Sequence, residues 1–252
     1  MTQENDTAPH IERVRHETKR RILKVEKIED VTPLMRRVFV GGDDLTGFVS
    51  AAPDDHIKLF FGENELTQQS REYTPRFYDE QANLLAIDFV LHDAGPASTF
   101  ALNAKQGDEL VIGGPRGSAV IGGNINAWLL IGDETALPAI GRRVEEAAEG
   151  TDITVIATVA NEQEVQKFNT KANVTYHWVY RSVELADEPK FLLEKVKELS
   201  LQERTFIWIA AEGKVTRHLR MFFNTERHVP LNWIKAAGYW VKGFANSKEK
   251  FD

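Results

Sequence analysis

From Arg21 to about Ile121 the apolar positions fall in short runs rich in Val, Ile, Phe and Tyr: RILKVEKIE, LMRRVFVGG, HIKLFF, REYTPRF, LLAIDFVL and DELVIGG. Gly41-Gly42, Pro53-Asp54-Asp55 and Gly107-Asp108 punctuate them. Such runs, bounded by turn formers, predict β-strands. Many short strands in succession leave exposed edges unless the sheet closes, so a closed antiparallel β-barrel is expected over residues 21–122. After Gly122-Gly123-Asn124 the pattern changes. AWLLIG (127–132) is one continuous apolar strand, and Leu137, Ile140 and Val144 then recur at helical spacing up to Gly150. DITVIATV, VTYHWVY and TFIWIAA read as further strands, alternating with helical stretches at 189–199 and 213–225. This alternation predicts an α/β domain over residues 123–252 with a parallel sheet covered on both faces. The boundary is expected near 121–126, with no repeat and no long linker, so the domains should pack directly. Residues 1–20, basic from Arg13 to Arg21, read as a polar arm: a solvated tail or an extra helix turn.

A length of 252 residues suits two domains, and 42% hydrophobic with 27% charged residues suits packed cores. The net charge of −7 argues against a nucleic-acid-coating role. Cysteine is absent, which removes disulfides, thiolate nucleophiles, thiolate zinc sites and cysteine-held clusters. Electrons crossing this chain would need an organic cofactor. The N-terminal stretch has no apolar run, so no secretory signal or membrane anchor is expected and a cytoplasmic location is. The seven histidines show no close pair at helical ligand spacing with carboxylates nearby, and no protein-held metal is expected.

Two stretches carry candidate chemistry. In Arg71-Glu72-Tyr73-Thr74, strand alternation places Arg71 and Tyr73 on one face and Glu72 and Thr74 on the other. A guanidinium beside a phenol can hold a phosphate while the ring lies against a flat heterocycle, although an ordinary cross-strand pair has the same look. In Phe89–Thr99 a strand ends at His92, Gly95 permits a sharp turn, and Pro96 suits the first position of a helix. Backbone N–H groups and hydroxyls of Ala97, Ser98 and Thr99 would face a diphosphate, or simply belong to a capped helix.

The strings RxYT, FVLHDAGPAS, GDELVIGGPRGS, GDETALPAI and GYWVKG occur in this order over roughly residues 20–245. In order and spacing they resemble those of the siderophore-interacting proteins, a branch of the ferredoxin-reductase-like flavoproteins. The resemblance implies a cytoplasmic enzyme that holds FAD on the barrel and reduces the Fe(III) of siderophores to Fe(II), with FAD rather than a catalytic side chain carrying the electrons. It places Arg71, Tyr73 and Thr74 on the flavin and its phosphate. Val90, Leu91 and His92 would meet the ring or ribityl chain, and Ala97, Ser98 and Thr99 the diphosphate. Thr135 and Ala136 would approach from the nucleotide side, with Tyr239 and Trp240 closing over the isoalloxazine or adenine. Trp240 is equally readable as a core aromatic, and His92 as a strand-end cap.

Relatives in the wider superfamily carry a glycine-rich phosphate loop and a Cys-Gly pair. Here the corresponding stretches are Gly132-Asp133-Glu134-Thr135-Ala136-Leu137-Pro138 and Ala210-Ala211-Glu212-Gly213, a poorer pyrophosphate cradle. NADH or NADPH is the expected donor, with ferredoxin as competitor. Ferric siderophores are often anionic, so Lys58, Arg116 and Lys242 are expected to form one basic pocket beside the flavin. A siderophore-binding module without turnover and a general flavin reductase remain open alternatives.

Overall fold

Along Arg20–Thr32, Arg21, Leu23 and Val25 are buried while their neighbours are exposed, the period-two pattern of a strand packed on one side. The computed structural model describes residues 8–62, 67–92 and 95–251. Residues 1–7 of the expected arm, Asp93 and Ala94 of the FVLHDAGPAS stretch, and Asp252 lie outside the described residues.

The first part of the chain comprises β1 (His10–Arg15), β2 (Arg20–Thr32), β3 (Met35–Gly41), β4 (Ile57–Phe61), β5 (Gln69–Tyr73), β6 (Pro75–Asp79), β7 (Leu84–Val90), α1 (Pro96–Asn103), β8 (Glu109–Gly113) and β9 (Gly117–Gly122). Seven of these strands form a curled sheet in the order β5-β4-β8-β2-β3-β7-β6, with every pair antiparallel. The expected closed barrel is corrected to a half-barrel. Its edge strands β5 and β6 are successive parts of one segment that changes partner at Thr74, from β4 to β7. Pro75 brings no N–H to the ladder there, so the seam is bridged by the chain rather than by hydrogen bonds. Leu23, Val38, Ile57, Leu59, Ile87, Phe89 and Ile112 fill the interior, and α1 plugs one end with Ala97 and Ala101.

Part of the expected arm is a strand. β1 pairs antiparallel with β9 from His10↔Gly122 to Arg15↔Gly117, although nearly all its residues are exposed. It has no apolar face, and the backbone ladder rather than burial orders it.

The second part comprises β10 (Ala127–Gly132), α2 (Leu137–Glu145), β11 (Asp152–Val159), β12 (Asn173–Tyr180), α3 (Lys190–Lys197), β13 (Thr205–Glu212), α4 (Gly213–Met221), β14 (Ile234–Trp240) and β15 (Glu249–Lys250). The sheet order is β12-β11-β10-β13-β14-β15. Five strands are parallel, but β15 runs antiparallel to β14, so the expected parallel sheet is a mixed one. The tail returns to β14 after eight residues, too few for the crossover a parallel neighbour needs. Leu137, Ile140 and Val144 of α2 cover one face, and Leu192, Val196, Val215 and Leu219 of α3 and α4 the other.

The two sheets meet along a polar seam. Arg76 makes two hydrogen bonds to Glu145 at 2.7 and 2.9 Å, and Arg142 donates to Ser50 Oγ at 2.9 Å and Pro75 O at 3.0 Å. Glu164 accepts from Thr32 Oγ1 at 2.5 Å and Leu34 N at 3.1 Å. Asp54 holds Lys235 at 2.6 Å and the Trp208 indole at 3.1 Å.

Candidate functional site

On β5 the half-buried Arg71 donates to Ser70 O at 2.9 Å and to the Gln69 side-chain oxygen at 3.3 Å, both neutral acceptors. The Tyr73 ring packs on Phe89 with centroids 4.7 Å apart and an interplanar angle of 38°. Burial pushes its phenol pKa up, against the lowering pull of Arg71, so the hydroxyl stays protonated. Thr74, at the partner change, is buried.

Val90 ends β7, and Leu91 N donates to Leu34 O at 2.9 Å, holding the exit from that strand. His92 follows, exposed. Gly95 then takes φ 105°, a conformation that favours glycine, and Pro96 opens α1 as expected. A glycine at the N-cap supplies no capping side chain, and no acid stands in the first turn. Buried Ser98 donates its hydroxyl to Val90 O at 3.3 Å, tying helix to strand, while Thr99 is exposed. Thr99 also faces a cleft of about 800 Å³ between α1 and the sheet, shared with Arg20, Phe60, Gly62, Gln68 and Asn103. The Arg20 guanidinium lies 4.5 Å over the Phe60 ring there. A second cavity, about 320 Å³ beside Trp128 and Arg143 at the seam, contains none of the expected site residues.

The carboxyl edge of the mixed sheet is organised by two buried carboxylates, in the stretches the sequence marks only as a poorer pyrophosphate cradle. Asp133 Oδ1 accepts from Thr135 N at 2.9 Å and Thr135 Oγ1 at 2.5 Å, and Oδ2 accepts from Glu212 N and Trp240 Nε1, each at 2.9 Å. One side chain thus ties together the ends of β10, β13 and β14. Glu212 caps α4 through Lys214 N at 2.6 Å and Val215 N at 3.2 Å. Both acids stand just before a helical turn, the N-cap position where an acceptor side chain is favoured, and that was the signal available in the sequence. Ala136 is buried in the core under α2. Glu134 pairs with Arg181 at 2.6 Å; burial and Asp133 nonetheless push its carboxyl pKa up. Tyr239 packs edge-on against Trp208 at 6.2 Å, and burial, with Asp54 and Asp133 nearby, pushes its phenol well up.

The three expected cations have separate surroundings. Lys58 stands opposite Glu72 on one side and Gly113 on the other, which brings it to the strand leading into the Arg116 loop. Lys58 and Arg116 are both exposed. Lys242 instead donates to Glu184 O and to Asp187 at 2.6 Å, so its charge is already countered. A cation the sequence did not suggest, Lys248, reaches Glu72 at 2.5 Å across 176 residues, and His56 Nε2 stands 3.8 Å from the same carboxylate. Burial pushes the Glu72 carboxyl up, but the Lys248 hydrogen bond and the charges of His56, Lys248 and Lys58 outweigh it, leaving the pKa below the usual value.

Comparison with known proteins places this arrangement. Residues 125–243 match the family model described as siderophore-interacting protein, and residues 24–70 and 63–119 match the siderophore-interacting FAD-binding domain. The chain is 32% identical to the NADPH-dependent ferric-chelate reductase of Escherichia coli (strain K12), over 94% of this chain and 98% of that relative. It is 26% identical to the ferric vibriobactin reductase ViuB of Vibrio cholerae, over 88% of this chain and 90% of the relative. The crystal structure of a siderophore utilization protein from T. fusca superposes with a TM-score of 0.87 at 30% identity, covering 95% of this chain and 98% of that one.

Proposed function

The chain belongs to the siderophore-interacting protein family, and from that premise we propose that it is an FAD-dependent oxidoreductase that reduces ferric siderophores to release Fe(II), with NADPH as donor. Ferrous iron is bound far less tightly than ferric by hard oxygen ligands, so reduction is release. A cytoplasmic setting suits a reductase fed by NADPH.

The observation that carries the reading is the donor set of the half-barrel. Among the described residues, the Arg71 guanidinium on β5 bonds neutral oxygens, and the first turn of α1 has neither a side-chain cap nor an acid. Such donors fit the two negative charges of a flavin dinucleotide's diphosphate. In this reading Arg71 and the first turn of α1, Ala97 to Thr99, hold the diphosphate. Tyr73 and Thr74 line the ring, and Val90, Leu91 and His92 border it from β7. Thr135, Tyr239 and Trp240 form the facing wall, with Asp133 holding Thr135 and Trp240 in place and Ala136, expected there, buried beneath them in the core. Bound FAD would take a hydride from the nicotinamide and pass electrons singly to iron. Lys58 and Arg116 attract an anionic ferric complex to the mouth, and Lys242 joins them by leaving Asp187.

The purified protein should be yellow, bleach anaerobically with NADPH, and reoxidise on adding a ferric siderophore while ferrozine reports Fe(II). A colourless protein that takes up no FAD overturns this reading. Tight binding of ferric siderophore with no Fe(II) would favour a binding module, and flavin leaving during turnover a general flavin reductase. Because Asp133 and Glu212 occupy the donors that a pyrophosphate would use, reduced ferredoxin belongs in the same titration as a second donor.

A further inference from the structure

We propose that His56 supplies protons to the siderophore oxygens that leave iron on reduction; the inference rests on the ferric-siderophore reductase reading above. When Fe(III) takes up one electron and becomes Fe(II), each Fe–O bond that breaks leaves a basic catecholate or hydroxycarboxylate oxygen. That oxygen must form an O–H bond, or it binds iron again. A proton passing from the His56 imidazolium to the oxygen completes the step, and the neutral ring recovers its proton from solvent.

The placement of His56 suits this role. It directly precedes β4, whose Ile57 pairs with Tyr73 and Lys58 with Glu72, so it stands beside Thr74 where the cofactor-facing strand changes partner. Its backbone lies beside Gly114 at the start of the Arg116 loop. The side chain is 56% exposed, open to a bound complex, and Nε2 is 3.8 Å from Glu72 Oε2. The charges facing it are Glu72 on β5, Lys248 on the tail, and Asp54 and Asp55 on the loop before β4, with Lys58 two residues along its own strand. Partial burial lowers the imidazole pKa and Lys248 adds to this, while Glu72, Asp55 and Asp54 oppose it. An arriving anionic complex adds a further opposing charge, so protonation of the ring rises as substrate binds. The donating form is populated at low pH and lost as pH rises through the imidazole pKa.

The test compares two acceptors, ferric tris(catecholate), whose oxygens must be protonated, and ferricyanide, which keeps its ligands. Rates are measured from about pH 5.5 to 8.5 for the wild type and His56→Gln, with FAD content checked by absorbance. The ratio of wild type to variant at each pH cancels the speciation of the iron complex itself. His56→Gln should lower kcat on the catecholate by about tenfold or more at low pH, with the loss shrinking as pH rises and ferricyanide reduction unchanged. Added imidazole should restore His56→Gly on the catecholate alone. Equal rates for wild type and variant at every pH, or an equal loss on both acceptors, overturns the role of His56. If the variants do not fold, the wild type decides. A slowing in deuterium oxide confined to the catecholate supports the proposal, and an effect shared by both acceptors overturns it. A wild type that reduces neither acceptor removes the reductase reading instead.

Discussion

On the half-barrel, among the described residues, Arg71 bonds neutral oxygens and the first turn of α1 has no side-chain cap. At the carboxyl edge of the mixed sheet, Asp133 and Glu212 already satisfy the backbone donors of Thr135, Lys214 and Val215. One region leaves its donors for a ligand to complete, and the other completes them from within. A ligand that fills unmet donors gains their full electrostatic value, while one that must compete with an internal carboxylate gains only the difference. The first arrangement suits a resident cofactor and the second a donor that visits and leaves.

The sharpest way to break this comparison is Asp133→Ala. It would leave the Trp240 indole and the Glu212 amide without acceptors inside the protein, at a cost of about 3 kcal/mol. Calorimetry should show Tm falling by roughly 6–12 °C. A shift of no more than a degree would mean that the hub does not hold the edge together. Next in size, Arg71→Ala should weaken FAD by about 2 kcal/mol, or roughly thirtyfold, with the far-ultraviolet dichroism unchanged. Fluorescence titration of the FAD-free protein reads this directly, and unaltered affinity would remove the guanidinium from the cofactor site.

The cations at the mouth give a smaller contrast. Lys58→Ala should raise the KM for an anionic ferric siderophore about threefold, and Lys242→Ala less, because Asp187 already counters that charge. An unchanged KM in Lys242→Ala would show that Lys242 stays with Asp187 and does not reach the substrate. The mildest effect concerns pH. The folded-state pKa of Glu72 lies below the ordinary glutamate value. Its contact with Lys248 is therefore fully present above that ordinary value and is lost as pH falls through the lowered one. Hydrogen-exchange protection in residues 241–251, taken relative to intrinsic rates, should fall on acidification in the wild type, and already be low at neutral pH in Lys248→Ala.

Most strands and helices were legible because their signals are local. The continuous apolar run of AWLLIG marks a strand covered on both faces, and β10 lies between β11 and β13 in the middle of its sheet. The Gly95-Pro96 pair marks a helix start, and α1 begins there. β1 was missed because its order comes from hydrogen bonds to β9, about a hundred residues away, and not from an apolar face. The open seam at Thr74 was missed because REYTPRF has the composition of one strand, and only the assembled sheet shows its halves pairing with different neighbours.

The candidate site divides in the same way. RxYT and the turn into α1 are readable as donors because a guanidinium and a helix N-terminus keep that character wherever the chain places them. Which donors stay open is a property of the folded chain. Lys242 meets Asp187 across 55 residues and Lys248 meets Glu72 across 176, so nothing local distinguishes a free cation from a paired one. The sequence alone determined the two domains, the identity of their donors and the lack of any thiol in the electron path, since each depends on residue type and short-range periodicity. Only the tertiary structure decided which charges are spent within the protein and which are left for a ligand, because electrostatic pairing follows distance in space, which the chain order does not contain.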